Sequence, residues 1–516
     1  MPSPDFSHPA QISPGPERRI YSVFLDLVSV KPNQFGVPAR PVRNILAFTL
    51  LAFAGGCMVG PDYHRPAPLG TNAMPPAFSS NAAWKTAAPA AHLPRGQWWQ
   101  VFADPDLNRL EELADANNQD LAAAIARFDE ARASVNITRA ELFPQVQFDT
   151  SYLRQRTSFN QPSDGKPNGI SPTYNTFLAQ LQAGWEVDLW GRVRREVQAA
   201  RAQLQASADD VEGVKLALEA DLAVDYFTLR ALDAELEVLD RTVASYRRSL
   251  EVTTNRRKGG IASDLDVSQA QTQLRVTEAQ LPAVRLRRKQ VLHAIATLCG
   301  QPAPGFVLSA IPGLRNPVPA VPVSLPSELL ERRPDIAAAE QRMAAANSQI
   351  GVAQAAFYPR IQINGLAGFE SVDANTWFDW PSRLWAVGPA LELPLFTGGR
   401  NRAQLALARA TYTETIANYR QIVLSAFQEV EDQIASQELL RTQLEAEEAA
   451  LTSAQQTVEI ANNRYNAGLV TYLEVATSQN AELTVESTVV QLRGQELAAA
   501  VALIRALGGG WQAGLP

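Results

Sequence analysis

Few residues in this chain could make or break bonds, and their spacing points away from catalysis. There are two cysteines, Cys57 and Cys299, and four histidines, His8, His64, His92 and His293. No Cys-x-x-Cys occurs, so neither a redox pair nor a disulfide framework is available. Three of the histidines precede residue 97, where regular patterning begins, which leaves almost no material for a histidine-based metal or catalytic cluster. Four methionines give equally little support to a soft-metal pathway. The expectation is therefore a protein with no catalytic residue, no metal site and no cofactor. Cys299, in Leu298-Cys299-Gly300 at the end of a helical pattern, reads as a small buried hydrophobe. The net charge is −7; with residues 1–56 set aside, 41 basic residues face 50 acidic ones. That balance disfavours nucleic acid, which needs a basic face.

Cys57 differs because of what precedes it. Arg40 and Arg43 lead into the apolar run 45–54, too short to span a bilayer but of the length of a signal-peptide core. The run ends Ala54-Gly55-Gly56-Cys57. Small residues followed at once by cysteine resemble the lipobox of bacterial lipoproteins, in which the thiol takes a diacylglyceryl group and becomes the new N-terminus; Ala54 stands where leucine is commoner. On this reading residues 1–56 are a precursor segment and Cys57 carries a covalent lipid. A cysteine closing an uncleaved apolar helix is the plainer alternative. Met58 rather than aspartate follows, which suits sorting to the outer membrane. Residues 1–39 read as an over-long start, although no other methionine lies between Met1 and Cys57.

The elements that would position any site are rods. From 399 to 466 nothing stops a helix for about 66 residues, roughly 100 Å at the helical rise. Leu440, Leu444, Leu451, Ala454, Val458, Ala461 and Tyr465 keep a 4-3-4-3 spacing with Glu447 as the one polar interruption, a coiled-coil seam. The same seam, Leu232, Leu236, Leu239, Val243, Tyr246 and Leu250, lies 208 residues earlier. The chain reads as a two-fold tandem repeat.

In order, 57–96 is a Pro/Ala-rich extended tether, 97–300 the first repeat, 301–326 a proline-rich linker and 327–511 the second repeat. Asp120-Leu121-Ala122-Ala123 opens a helix that ends at Pro144, and Asp335-Ile336-Ala337-Ala338 opens one that ends at Pro359; both ends are offset by 215. After each proline the period changes to two, with strands expected within 145–189 and 360–396. Val146, Phe148 and Tyr152, then Phe177, Leu181, Trp185, Val187 and Leu189, alternate with Gln145, Gln147, Asp149, Gln180, Gln182, Glu186 and Asp188. In the second copy Ile361, Ile363 and Phe369, then Trp385, Val387, Leu391, Leu393 and Leu395, form the apolar set. A soluble two-layer sheet would show the same alternation. The lipobox and the rods favour lipid against the apolar face, with Trp185, Trp377, Trp380 and Trp385 as an interfacial belt. Long helices over 192–258 and 400–466 follow Gly191 and Gly399, and shorter helices restart after Gly260 and Gly468.

Cys57 with Val59-Gly60-Pro61-Asp62-Tyr63, the Trp98-Trp99, Phe102, Asp104-Pro105, Leu107 opening, Arg332-Arg333-Pro334-Asp335-Ile336, and Arg464-Tyr465 with Gly468 and Tyr472-Leu473 together resemble the TolC-like outer membrane factors, in their lipidated, nodulation-protein-T-type branch. The resemblance runs in order over 57–511. It implies a mixed, mainly α fold: a long coiled-coil α-helical barrel plus a transmembrane β-barrel completed by trimerisation, four strands per chain. It also implies an outer-membrane conduit of a tripartite efflux system, working with a periplasmic adaptor and an inner-membrane transporter, proton-driven. Elementary physics agrees that four strands leave two unpaired edges that lipid will not tolerate, and that twelve strands leave a channel where eight leave a filled interior.

By the same resemblance the turns Gly260, Ile261, Ala262, Ser263 and Gly468, Leu469, Val470, Thr471 form the periplasmic tip where an adaptor docks. Leu473 matches an apolar constriction residue, Glu474 a position that is aspartate in relatives, and Thr477, one turn on, departs from a second aspartate. Three copies of Glu474 would attract cations. The plainer reading puts Leu473 in the helix seam and Glu474 in solvent. Two other functions compete: a lipid-anchored structural or adhesin rod without a pore, and a channel for type I protein secretion. The polar strand faces argue for the pore.

Overall fold

The computed structural model describes residues 58–69, 96–156, 173–311, 313–314, 318–319 and 332–509. The expected signal segment with Cys57, the rest of the expected tether (70–95), the loop 157–172 and most of the proline-rich linker lie outside the described residues. What is described is mainly helical. A 3-10 turn, Trp98–Phe102, leads to α1 (Pro105–Asn117) and α2 (Gln119–Ala140); β1 (Gln145–Arg156) and β2 (Thr173–Val187) follow, then α3 (Arg192–Lys258) and α4 (Asp264–Leu298). After the linker come α5 (Pro334–Ala355), β3 (Arg360–Ser371), β4 (Arg383–Glu392), α6 (Arg400–Asn466) and α7 (Tyr472–Ala506). The helices match in length across the two halves: 22 residues for α2 and α5, 67 for α3 and α6, 35 for α4 and α7.

The long helices stop for a local reason. Gly260 and Gly468 adopt φ of 75° and 77°, a region closed to most side chains. The chain can then fold back so that Ile261 N donates to Arg256 O and Leu469 N to Arg464 O, satisfying carbonyls the helix end leaves free. Ser263 and Asp266 restart the chain in α4 as a reciprocal capping box.

α3 is the central beam, flanked by α1, α2, α4, α5 and α7, whereas α6 packs on α5 and α7. Trp98, Trp99, Phe102, Leu107 and Leu110 bury against Leu222, Tyr226 and Phe227 of α3. Cys299 is fully buried there, its Sγ 3.7 Å from Leu110 O, and burial pushes its thiol up to about 12, as a small inert hydrophobe requires. Tyr419, Val423, Ala426 and Val430 of α6 close a second core with Ile336 and Met343. Along the α6 rod the seam residues leave solvent: Leu440, Leu444, Leu451, Ala454 and Val458 are half-buried and Ala461 and Tyr465 buried.

Residues 58–69 are extended and lie against the helices. Arg195, buried on α3, donates to Val59 O at 3.2 Å, Gly60 O at 3.2 Å and Asp62 Oδ1 at 2.9 Å. Asn347 of α5 donates to Pro61 O, and Arg65 meets Glu340 and the Tyr419 hydroxyl. A buried guanidinium must find acceptors, and this strap supplies them.

The four strands form one antiparallel sheet in the order β1-β2-β3-β4. Both β2 and β4 end earlier than their alternation suggests. At 188 the chain turns, Leu189 N donating to Val187 O, and the Asp188 carboxylate accepts from Arg194 N at 2.9 Å instead of lining a strand. Pro394 has no N–H to continue a ladder, so Leu393 and Leu395 lie past β4, with Leu395 89% exposed.

Candidate functional site

The register assigns every strand residue to a face. Val146 pairs with Ala183, Phe148 with Leu181 and Tyr152 with Phe177; Leu181 then meets Ala367 and Trp185 meets Ile363, and Ala367 and Ile363 meet Trp385 and Pro389. One face is thus apolar across all four strands. The other carries Gln147 opposite Gln182, Asp149 opposite Gln180, and Glu186 opposite Gln362, with small residues such as Gly388 and Ala390 on β4. Phe148, Val387 and Leu391 stand exposed on the apolar face, where no other described residue covers them. The outer edges of β1 and β4 have no strand partner among the described residues.

The tryptophans divide between the two ends of that face. Trp185 sits at the helical end, its Nε1 donating to Leu142 O at 3.0 Å. Trp377, Trp380 and Trp385 sit at the loop end, and the Trp377 ring packs tilted against Phe177 at 5.4 Å and stacks on Phe378 at 4.9 Å.

At the opposite end of the rods the two turns lie side by side. Arg256 donates to Asn466 O at 3.0 Å and covers the Tyr465 ring, which meets the edge of Tyr472 at 5.6 Å. Asp266 ties the hairpins together, accepting from Ser263 and from Tyr472 N; burial opposes its charge, but these bonds and the Arg256 guanidinium hold its carboxyl below the ordinary value. Gly260, Ile261, Ala262 and Ser263 form one turn, and Gly468, Leu469, Val470 and Thr471 the other. Ile261 and Leu469 are exposed apolar residues at their tips, and a Cβ added at Gly260 or Gly468 would meet nothing.

Tyr472, Val475 and Ala476 carry the α7 seam, while Leu473 stands out of it, 53% exposed. Glu474 is not a lone charge: Arg464, at the end of α6, reaches it at 3.4 Å. Thr477 donates its hydroxyl to Leu473 O and Glu474 O of its own helix. Sequence reasoning placed Arg464 in a turn motif and missed this pairing, since the partners lie ten residues apart across a reversal; the only available signal was opposite charge on either side of Gly468.

The sequence profile described as outer membrane efflux protein matches residues 110–301 and again 325–509. Outer membrane protein OprJ of Pseudomonas aeruginosa is 32% identical over 479 residues, 92% of this chain and 97% of the relative. Toluene efflux pump outer membrane protein TtgF of Pseudomonas putida is 33% identical over 472 residues, 91% and 97%. The solved outer-membrane channel OprN superposes with a TM-score of 0.77 at 29% identity, covering 88% of this chain and all of that one.

Proposed function

The chain belongs to the outer membrane efflux protein family and is an outer-membrane efflux channel, and from that premise we propose that three copies form one passive conduit. The observation that carries this reading is the open sheet: four strands, one apolar face and two unpaired edges among the described residues. An edge in hydrocarbon leaves backbone groups unsatisfied, so β1 of one copy pairs with β4 of the next and twelve strands enclose a lumen lined by the glutamine face. The paired helix lengths and the double profile match support a tandem duplication in which each repeat contributes two strands and a rod.

In this reading the lipid sits on Cys57 and residues 58–69 lead from it along the junction of sheet and helices. The turns at 260–263 and 468–471 dock a periplasmic adaptor that links the channel to a proton-driven inner-membrane transporter. Leu473, with the Glu474–Arg464 pair and Thr477, constricts the lumen there, because Leu473 is exposed and free of the seam. The toluene in one relative's name supports small apolar molecules as cargo. Native mass spectrometry and planar-bilayer recording of the purified full chain test the proposal. A trimer with conductance steps that grow in Leu473→Gly is expected. A monomer, or a trimer silent even as Leu473→Gly, overturns it.

A further inference from the structure

The charges on the sheet are sorted by face. Among the described strand residues the lumenal face holds Asp149, Glu186, Glu370 and Glu392 with Arg360, whereas the apolar face holds no acid and only three charges, Arg154, Arg156 and Arg383. All three arginines are at the loop end: Arg154 and Arg156 close β1, and Arg383 opens β4. The helical end of the same face has no cation among those residues. A charge pointing into hydrocarbon is costly, so these positions mark where the apolar layer stops. From Val187 to Phe177 the apolar face runs ten residue steps along β2, about 33 Å of strand and roughly 25 Å of height at the usual tilt, the thickness of a barrel's apolar band. Arg154 pairs with Asn175, two residues beyond Phe177, and Arg383 pairs with Phe369 and through it with Ala179, at the last turn of the pleat inside the run, so the arginines bracket its outer limit.

Beside these arginines stands an exposed aromatic shelf. Phe378 and Trp380 are 65% and 72% exposed, and the Arg383 guanidinium lies 4.4 Å over the Trp380 ring while donating to Trp380 O. Asp373 and Asp379 are in the same β3–β4 loop, and Asp373 is occupied as the cap of Asn375 N. We propose that this loop-end surface binds the phosphorylated headgroup of an anionic lipid of the outer leaflet, the arginines taking the phosphates and Phe378 and Trp380 lying against the sugar and upper acyl region. The inference rests on the channel reading, which sets the loops outside the cell. Guanidinium suits phosphate by its forked donors, and an apolar rim beneath it suits a molecule that is both anionic and acylated.

The test uses the full chain in lipid nanodiscs and native mass spectrometry, with diphosphoryl lipid A as probe and the same lipid stripped of its phosphates as comparison. Each surface arginine is expected to contribute about fivefold, so Arg154→Ala/Arg156→Ala/Arg383→Ala should lose on the order of a hundredfold in lipid A retention, while the lumenal Arg360→Ala retains it. Should the triple variant not assemble, the single Arg154→Glu, at an exposed position, should still lose at least the fivefold. Equal retention of both lipids by the unaltered protein, or unchanged retention by the assembled variant, overturns the proposal. Conductance recorded on the same samples keeps this outcome separate from failure of the channel reading.

Discussion

α3 and α6 have the same length and the same seam, yet 26 residues of α3 are buried and seven of α6, so one is a finished beam and the other an unfinished one. The difference comes from neighbours, since α1 and the tryptophan turn cover α3 and nothing equivalent among the described residues covers α6. Leu424 and Leu439 of α6 stay 51% and 68% exposed in the protomer, on a helix whose other side packs on α5 and α7. Two similar sequences thus play different parts, α3 holding the chain's own core together and α6 leaving apolar side chains uncovered.

The largest effect is expected in the core where α3 meets the tryptophan turn. Phe227 is fully buried, 4.8 Å from Phe102, and Phe227→Ala should cost about 3–5 kcal/mol, read as a lowered unfolding midpoint and less protein in the outer membrane. At α6 the effect should fall on assembly instead. Leu424→Asp/Leu439→Asp should keep the helical content by circular dichroism but give monomers on native gels; unchanged trimers would mean that α6 is not the interface.

Smaller effects are expected at the tip, where the two halves meet. Arg464→Gln frees Glu474 of its 3.4 Å partner and should make the closed channel more cation-selective, while Glu474→Gln should lower selectivity; reversal potentials in a salt gradient measure both. Identical reversal potentials would exclude the pair from the pore.

The smallest effect is one of pH, and it is largest on the α3 side. Burial raises the Glu111 carboxyl to about 10, with Glu219 and Asp115 adding and Lys215 opposing, and neither oxygen has a hydrogen-bond partner among the described residues. Burial also lifts Glu219 to about 7 against the 2.8 Å bond from Trp98 Nε1. Folded-state values above the unfolded value of 4.5 mean that these groups stabilise at low pH, and that the contribution is lost as pH rises, through 7 for Glu219 and on towards 10 for Glu111. Glu111→Gln should therefore flatten the fall in thermal midpoint between about pH 6 and pH 9. α6 has no carboxylate among its buried residues.

The sequence by itself determined the rods, their seams and their glycine stops, because helical period and positive φ are decided within a few residues. It also determined the alternation of the strands, and with it which side of each is apolar. Strand ends at Val187 and Glu392 were set by a turn at Asp188 and by Pro394, local features that hydrophobic alternation overran. Only tertiary structure decided that 58–69 would strap onto Arg195 and Arg65's partners, that Arg464 would meet Glu474, and that Glu111 would be buried with no hydrogen-bond partner among the described residues. It also decided, through register, that Arg154, Arg156 and Arg383 would share one face at one end. Those outcomes join residues far apart in the chain or across a reversal, and such pairs are chosen by packing, which no local period encodes.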